Sequence, residues 1–312
     1  MTVYHTESWP ELPLSAWRDT YATLHMWTQI VGKTRLALSP VENHWWHITF
    51  YLTPRGFTTS AMQSGDRTIA VDFDFIDHQL LIRASDGAVR RLALAPRSVA
   101  DFYAEYTSAM RDLDLRFRLW PVPVEVEVAI PFAQDREHAS YDPETANRAW
   151  RILAQSDRVM KQFRGRFIGK ASPVHFFWGS FDLAATRFSG RTAPLHPGGA
   201  PNCPDYVMHE AYSHECSSAG MWFGGGEITE PMYYAYCYPE PEGYKTYPVR
   251  PVEGFYSETM REFLLPYDVV RQAASPDETL LDFLQSTYEA AAERGRWDRA
   301  ALERPLAAAS PR

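Results

Sequence analysis

The chain has 312 residues, of which 45% are hydrophobic, 14% aromatic and 22% charged, a composition typical of a globular protein with a large buried core. A net charge of -8 argues against a protein that binds the phosphate backbone of nucleic acids. Three cysteines without a CxxC pair, no apolar run near the roughly 20 residues that span a bilayer, and no N-terminal secretion signal predict a cytoplasmic protein without a membrane partner.

The first half of the chain predicts a helix, a run of antiparallel strands and a second helix. After an N-terminal arm at 1–13, apolar residues recur at helical spacing over 15–31, and Gly32 is expected to end this helix. Apolar and acidic residues alternate over 68–76, which is the period-two pattern of a half-buried strand. Ser98 is expected to cap a second helix over 99–113. Further strands are predicted at 35–38, 44–53, 80–84, 88–94, 115–120 and 124–130.

The second half predicts the same kinds of element in a similar order. Asp142 followed by Pro143 is a strong helix start, because a capping carboxylate precedes a proline at the first helical position. This helix is expected to run toward Gly169. The remaining predictions are strands at 173–187, 212–223 and 232–238, a Gly/Pro-rich loop at 189–205, a partly helical segment at 254–274, a helix from Asp277 to residue 292, and a frayed tail at 303–312.

The two halves also resemble each other in local sequence. Ile30-Val-Gly-Lys33 matches Phe167-Ile-Gly-Lys170, and each motif is followed by a Pro-Val pair and by a histidine with two aromatic residues, which aligns His44 with His175. We therefore predict an α+β fold of two related helix–antiparallel strands–helix halves, 14–135 and 136–302. They are expected to pack about a pseudo-two-fold axis as one compact unit, with a ligand site where they meet.

Two predicted strands, beginning near residues 44 and 172, carry the candidate ligand site. Each has one apolar face and one face that mixes aromatic with polar side chains. A strand face in water more usually carries Lys, Glu and Thr, so the mixed faces favour a sheltered cavity, while an exposed face covered by a loop remains open. The residues predicted to bind the ligand are Trp45, Tyr51, Trp178, Ser180 and Tyr212.

The segment 209–215 is the densest in ionisable side chains, although it lacks the HExxH spacing of a zinc site. A histidine beside a carboxylate is the minimal equipment for general acid–base catalysis, so the predicted catalytic residues are His214, Glu215, Asp182 and His47. The same four residues could instead ligate a metal if the halves pack as predicted, and no spacing motif decides this. The alternative is that His214 and Glu215 are bound only by backbone and solvent. The sequence identifies no metal or other cofactor.

Four segments of the sequence resemble a known family. They are DTYATLHMWTQIVGKTRLAL at 19–38, HASYDPETANRAWRIL at 138–153, SPVHFFWGSFDLAATRFSGR at 172–191 and EAYSHECSSAGMWFGGG at 210–226. They resemble the bacterial family catalogued as domain of unknown function 5996, and the resemblance extends over nearly the whole chain. It implies a bacterial protein built as one unit, and it implies no active site, substrate or cofactor.

Three functions follow from these patterns. The first is binding of a small, partly apolar organic ligand between the two halves, with acid–base catalysis by His, Glu and Asp if the protein is an enzyme. The second is a metal-dependent hydrolase or oxygenase with a His/His/carboxylate site. The third is a non-catalytic interaction protein, in which exposed aromatic side chains form the interface of a homodimer.

Overall fold

The computed structural model describes residues 7–305 and contains helices and two antiparallel sheets, which confirms the predicted α+β class. The helices are Leu14–Leu38 (α1), Val99–Asp112 (α2), Pro143–Gly165 (α3), Asp205–Ala211 (α4), Tyr267–Gln272 (α5), Pro276–Arg294 (α6) and Arg299–Leu302 (α7). The strands of the first sheet are Tyr51–Thr53 (β1), Gly56–Thr58 (β2), Met62–Ser64 (β3), Arg67–Asp74 (β4), Gln79–Ala84 (β5) and Val89–Ala93 (β6). Those of the second sheet are His175–Phe177 (β7), Asp182–Thr192 (β8), His214–Trp222 (β9), Met232–Tyr238 (β10), Phe255–Ser257 (β11) and Glu262–Pro266 (β12).

The two sheets meet edge to edge at their first strands. The first sheet has the order β1-β2-β4-β5-β6 with β3 beside β4, and the second has the order β11-β12-β10-β9-β8-β7. Next to β1, Phe50 exchanges two backbone hydrogen bonds of 2.9 and 2.8 Å with Phe176 of β7. Both phenylalanines are fully buried, and one apolar cluster runs from Trp9 to Trp297. The two halves of the chain therefore share a core.

Helix starts follow the capping signals in the sequence. The Ser98 hydroxyl accepts a hydrogen bond of 3.1 Å from the Asp101 N–H, and the Asp142 carboxylate accepts one of 2.8 Å from the Thr145 N–H. Helix α1 does not end at Gly32, so the strand predicted at 35–38 is wrong. The Trp178 indole lies where a Cβ of residue 32 would project, so glycine serves close packing here and does not end the helix.

The two strands that carried the sequence-based site are interrupted. Residues Asn43–Ile48 form a kinked 3₁₀ turn in which His44 and Trp45 have φ of 58° and 63°, and only Tyr51–Thr53 is a strand. The strand predicted at 173–187 breaks between β7 and β8, where Phe181 has φ of 57°. A hydrogen bond links the two interrupted segments: Trp178 Nε1 donates to the Ile48 carbonyl at 2.7 Å. The predicted division of these segments into two faces is therefore wrong.

Other boundaries also differ from the prediction. Residues 115–120 and 124–130 contain no strand, and the Glu125 N–H donates a hydrogen bond of 2.7 Å to the carbonyl of Pro201. Strand β8 runs into the predicted loop at 189–205, and the segment 254–274 holds two strands before α5. Trp9 and Leu12 of the predicted arm are buried, and Glu303 of the predicted tail pairs with Phe167. Residues 1–6 and 306–312 of these two predictions lie outside the described residues.

None of the helices in residues 7–305 combines the length and the hydropathy of a membrane-crossing helix.

Candidate functional site

A cavity of about 150 Å³ lies on the face of the second sheet opposite helices α3 and α6. Its floor consists of alternate residues of β8, β9 and β10, since every second side chain of a strand shares a face. Its roof comes from the 3₁₀ turn of the first half and from α4 of the second. The lining includes Trp45, Trp46, Phe177, Phe188, Tyr212, Tyr234, Tyr236, Ser180, Asp182, Glu125, His44 and Cys216.

Strand register brings Tyr234 of the floor to Asp182. Tyr234 lies opposite Gly220, which lies opposite Ala184, next but one to Asp182 on β8. A Cβ at Gly220 would overlap both the Leu183 carbonyl and the Tyr234 hydroxyl. The missing side chain on β9 therefore leaves the space through which the Tyr234 hydroxyl reaches across the sheet.

Asp182 is a buried carboxylate with two hydroxyl donors. Tyr234 donates to its Oδ2 and Ser180 donates to its Oδ1. Burial raises the pKa of Asp182 above its ordinary range, although both hydrogen bonds act in the opposite direction. The group is therefore oriented by fixed donors and is a better proton acceptor than an exposed aspartate.

Glu125 is the second carboxyl of the cavity and comes from the first half of the chain. Its backbone has φ of 58°, and its carboxylate occupies the position that a side chain of Gly179 would fill. Burial raises the pKa of Glu125 to about 7, and the charge of Asp182 adds to this shift, while Ser180 and Lys33 oppose it. A carboxyl that titrates near neutrality can both release and accept a proton at physiological pH.

Lys33 is a buried cation close to this carboxyl pair. Its side chain is 3% exposed, and its Nζ lies 5.5 Å from the ring centre of Trp178. Burial lowers the pKa of Lys33 to about 8, and the charges of Cys203 and Glu125 oppose the shift. Lys33 therefore places a positive charge near Glu125, although Lys33 itself does not line the cavity.

Helix α1 holds the two loops that supply Glu125 and Ser180. Gln29 forms hydrogen bonds with both backbone groups of Val124. Its Nε2 donates a hydrogen bond of 2.7 Å to the carbonyl, and its Oε1 accepts one of 2.9 Å from the N–H. One turn earlier, His25 Nε2 donates 2.8 Å to the carbonyl of Gly179. Burial lowers the pKa of His25 to about 4, so the imidazole is neutral at neutral pH. Residues four apart share a helix face, and one face of α1 thus positions both loops.

His44 lies at the other end of the cavity and is also neutral. Its Nδ1 donates 2.9 Å to the Ala211 carbonyl, so its Nε2 accepts the 2.7 Å hydrogen bond from Lys170 Nζ. Burial, together with the charge of Lys170, lowers the pKa of His44. The ring centre of His214 lies 5.7 Å from that of His44.

The cavity includes four of the nine site residues predicted from the sequence: Trp45, Ser180, Asp182 and Tyr212. Trp178 lies beneath the roof, buried between Gly32 and the Ile48 carbonyl. Tyr51 lies outside the cavity and stacks under the Arg35 guanidinium at 5.7 Å.

The predicted catalytic histidines and Glu215 do not converge on Asp182. His47 is buried outside the cavity, where its Nδ1 accepts 3.2 Å from the Glu42 N–H. Glu215 forms an ion pair of 2.6 Å with Arg191, because consecutive residues of β9 point to opposite faces and only His214 is on the side of the cavity. His214 and Glu215 therefore lie on opposite faces of the second sheet.

The side chains of the cavity do not form the arrangements that metal binding or thiol catalysis requires. Within residues 7–305, no three His, Cys, Asp or Glu side chains converge as ligands for a metal ion. Cys216 lines the cavity, but burial raises the pKa of its thiol to about 12, so the nucleophilic thiolate is scarce at neutral pH.

Comparison with protein families places the whole of this architecture in one known group. The model of the family of unknown function DUF5996 matches residues 9–304, which include every element that builds the cavity. The chain belongs to this family. No curated protein and no solved structure shows detectable similarity to the chain.

The sequence patterns did not identify three residues at or beside the cavity: Glu125, Tyr234 and Lys33. Tyr234 had a signal, because tyrosines at 234, 236 and 238 alternate along β10 and mark a shared face. Lys33 had a weaker one, since it follows Gln29 and His25 at four-residue intervals within otherwise apolar helical sequence. Glu125 had none, because its position depends on backbone bonds to α1 and to Pro201.

Proposed function

We propose that the cavity binds a small, partly apolar molecule with a basic nitrogen, and that Glu125 and Asp182 exchange protons with it. The observation that carries this proposal is the charge of the lining: two carboxyl groups stand among aromatic rings, and the lining contains neither lysine nor arginine. Carboxylates bind ammonium groups, and the faces of Trp and Tyr attract cations once water is excluded.

The size of the cavity restricts the ligand. An apolar cavity of about 150 Å³ holds one molecule the size of benzene, and the cavity here has a similar volume of about 150 Å³. The apolar part of the ligand would contact Trp45, Trp46 and Phe177, while its nitrogen would lie toward Glu125 and Asp182. A monoamine of four to six carbons fits this description.

The arrangement also supports acid–base catalysis by the carboxyl pair. With a pKa of about 7, Glu125 is present in both protonation states at neutral pH. Ser180 and Tyr234 keep Asp182 oriented, so a ligand proton would be transferred within a fixed geometry. This assigns the predicted acid–base role to Glu125 and Asp182 in place of His214 and Glu215.

The experiment is calorimetric titration with butylamine, and with butanol and butyrate as neutral and anionic matches. We expect butylamine to bind most tightly. Its ammonium group should lower the pKa of Glu125, so binding at pH 7 should release part of a proton, measured from the heats in buffers of different ionisation enthalpy. Glu125→Gln should remove this release, whereas Glu127→Gln, which alters an exposed carboxyl two residues away, should preserve it.

Two results would overturn the amine proposal. One is that butyrate or butanol binds as tightly as butylamine, and that hexanoate or hexanol likewise binds as tightly as hexylamine. The other is that proton release is the same in Glu125→Gln as in Glu127→Gln, after circular dichroism has established that both variants are folded.

We further propose that the two halves arose by duplication. Each half begins with a long helix, continues as an antiparallel sheet and ends in helix, and the sheets meet at their first strands. The repeated Gly-Lys motifs support the relation, because Lys33 lies over Trp178 of the other half and Lys170 lies over Trp46 of the other half, at 5.5 and 5.7 Å. The proposed pseudo-two-fold axis would pass through the β1–β7 junction, where the two sheets meet.

The setting that we propose is the bacterial cytoplasm, with a small molecule as the partner. All three cysteines are free, as is usual in a reducing compartment. The homodimer expected from the aromatic content stays a prediction.

A further inference from the structure

The opposite face of β8 carries a second cluster of charges, remote from the amine cavity. Arg187 projects from this opposite face, because its neighbours Thr186 and Phe188 line the amine cavity and consecutive residues of a strand point to opposite faces. It lines a separate cavity of about 180 Å³ together with Arg166, Arg299 and Arg304, two glutamates and a glutamine.

Arg187 is almost completely buried and incompletely bonded. Only 2% of it is exposed, and its guanidinium carbon lies 3.5 Å from the ring centre of Phe163 and 4.3 Å from that of Tyr288. Its Nη2 donates to the Phe163 carbonyl, but its Nε has no acceptor among the described residues. A buried N–H donor without an acceptor is costly, so this group is suited to a ligand that supplies one.

The two glutamates of this cavity are already engaged by another arginine. Glu303 accepts 2.5 Å from Arg299 Nε, and Glu289 lies 3.7 Å from Arg299 Nη2. By contrast, no ion pair within residues 7–305 involves Arg166, Arg187 or Arg304. Burial lowers the pKa of Arg187 to about 9, and the charge of Arg166 adds to this shift, while Tyr288 and Glu303 oppose it. Three arginines that form no ion pair within residues 7–305 therefore surround one small cavity.

We propose that this second cavity binds a phosphate group, free or as a small monoester, between Arg166, Arg187 and Arg304. A phosphate dianion supplies several acceptor oxygens that match the planar fork of a guanidinium, and it offsets the repulsion among the three cations. The volume of about 180 Å³ accommodates one such group but no nucleotide. This proposal does not depend on the amine cavity.

The test is calorimetric titration with inorganic phosphate, and separately with methyl phosphate, at an ionic strength held constant with sodium chloride. We expect saturable binding of at least one of them, and the tighter of the two identifies the free ion or the ester as the source. The double variant R166Q/R304Q should weaken binding by about tenfold or more, because it removes two charge-assisted contacts. The matched double variant R91Q/R118Q removes two exposed arginines that are remote from this cavity and form no ion pair within residues 7–305, and it should change affinity by less than about twofold.

A nuclear magnetic resonance readout tests the buried donor directly. The Nε–H resonance of Arg187, assigned with the Arg187→Lys variant, should shift on addition of phosphate. If Arg187→Lys does not fold, the double variants still decide the proposal. The absence of saturable binding of both probes, or equal affinity in R166Q/R304Q and R91Q/R118Q, would overturn it. Phosphate binding should persist in Glu125→Gln, so failure of one site is distinguishable from failure of the other.

Discussion

Two carboxyl groups reach the amine cavity because two glycines leave space for them and their donors. Gly179 makes room for the Glu125 carboxylate, and Gly220 makes room for the Tyr234 hydroxyl that bonds to Asp182. Neither glycine has a positive φ, so close packing, and not backbone conformation, requires glycine at these positions.

Gly220→Ala should therefore destabilise the protein. The added methyl group would meet the Leu183 carbonyl, which is backbone and cannot rotate away, and we expect a loss of about 1–3 kcal/mol of unfolding free energy. Urea denaturation measures this loss. Gly165→Ala is the matched control, since no atom lies within 4 Å of its added Cβ, and it should be neutral or slightly stabilising. Equal stability of the two variants would contradict the packing argument.

At the scale of single residues, the sequence revealed side chains whose partners are close along the chain. Ser180 and Asp182 were predicted because they lie two residues apart on the mixed aromatic and polar face of a predicted strand, and their hydrogen bond is local. Glu125 was not found, because the groups that surround it come from α1, β8 and the Pro201 segment.

Helix α1 is the element on which the cavity depends most. It was predicted from its apolar periodicity, which does not identify the polar residues along one face of it as contacts to other segments. Gln29 bonds to both backbone groups of Val124, and His25 bonds to Gly179, so the helix fixes two irregular segments that have no sheet partners of their own. Irregular segments are ordered only where side chains or backbone satisfy their polar groups.

Gln29→Ala should loosen the segment that carries Glu125. Two hydrogen bonds to the Val124 backbone are lost, so the protection of its amide against hydrogen exchange should fall by about tenfold or more. Mass-spectrometric exchange of peptides spanning 120–130 measures this, and butylamine binding should weaken in parallel. Gln63→Ala, on an exposed strand of the first sheet, is the control and should leave both unchanged. Unchanged exchange at Val124 in Gln29→Ala would show that the segment is held by other contacts.

The strand predictions failed where local patterns met tertiary constraints. The aromatic-rich patterns over 44–53 and 173–187 indicated long strands, yet both segments turn within a few residues of Trp45 and Phe181. These turns bring Trp178 under Ile48 and permit the Phe50–Phe176 bridge, which joins the two sheets. Residues in left-handed backbone conformations are unfavourable locally and persist only when surrounding contacts require them.

The molecule as a whole buries ionisable groups of both kinds, and this gives its stability a dependence on pH. Burial lowers the pKa of His25 to about 4 and that of His175 to about 3, whereas it raises the pKa of Glu125 to about 7 and that of Glu262 to about 8. A lowered histidine pKa means that the folded state binds fewer protons, so stability falls as the pH drops below about 6.5. A raised carboxyl pKa means that the folded state binds more protons, so stability falls as the pH rises above about 4.5.

Glu262→Gln should therefore reduce the loss of stability between about pH 5 and pH 8. The wild-type carboxyl must ionise in a buried site near Asp182 over this range, and the amide has no proton to lose. Urea denaturation at several pH values should show a smaller decline in unfolding free energy for the variant. Glu253→Gln, at an exposed position, should follow the wild-type curve. A variant curve parallel to that of the wild type would mean that Glu262 ionises normally in the fold.

The sequence by itself determined the α+β class, the helix starts at Ser98 and Asp142, most strands of the two sheets, and membership of the family. These features depend on capping, side-chain periodicity and turn residues, which act over a few neighbouring positions. Only the tertiary structure decided which polar groups meet. Glu125, Asp182 and Tyr234 come from three separate segments, and their pKa values and contacts depend on how far water is excluded when the two sheets and α1 pack together.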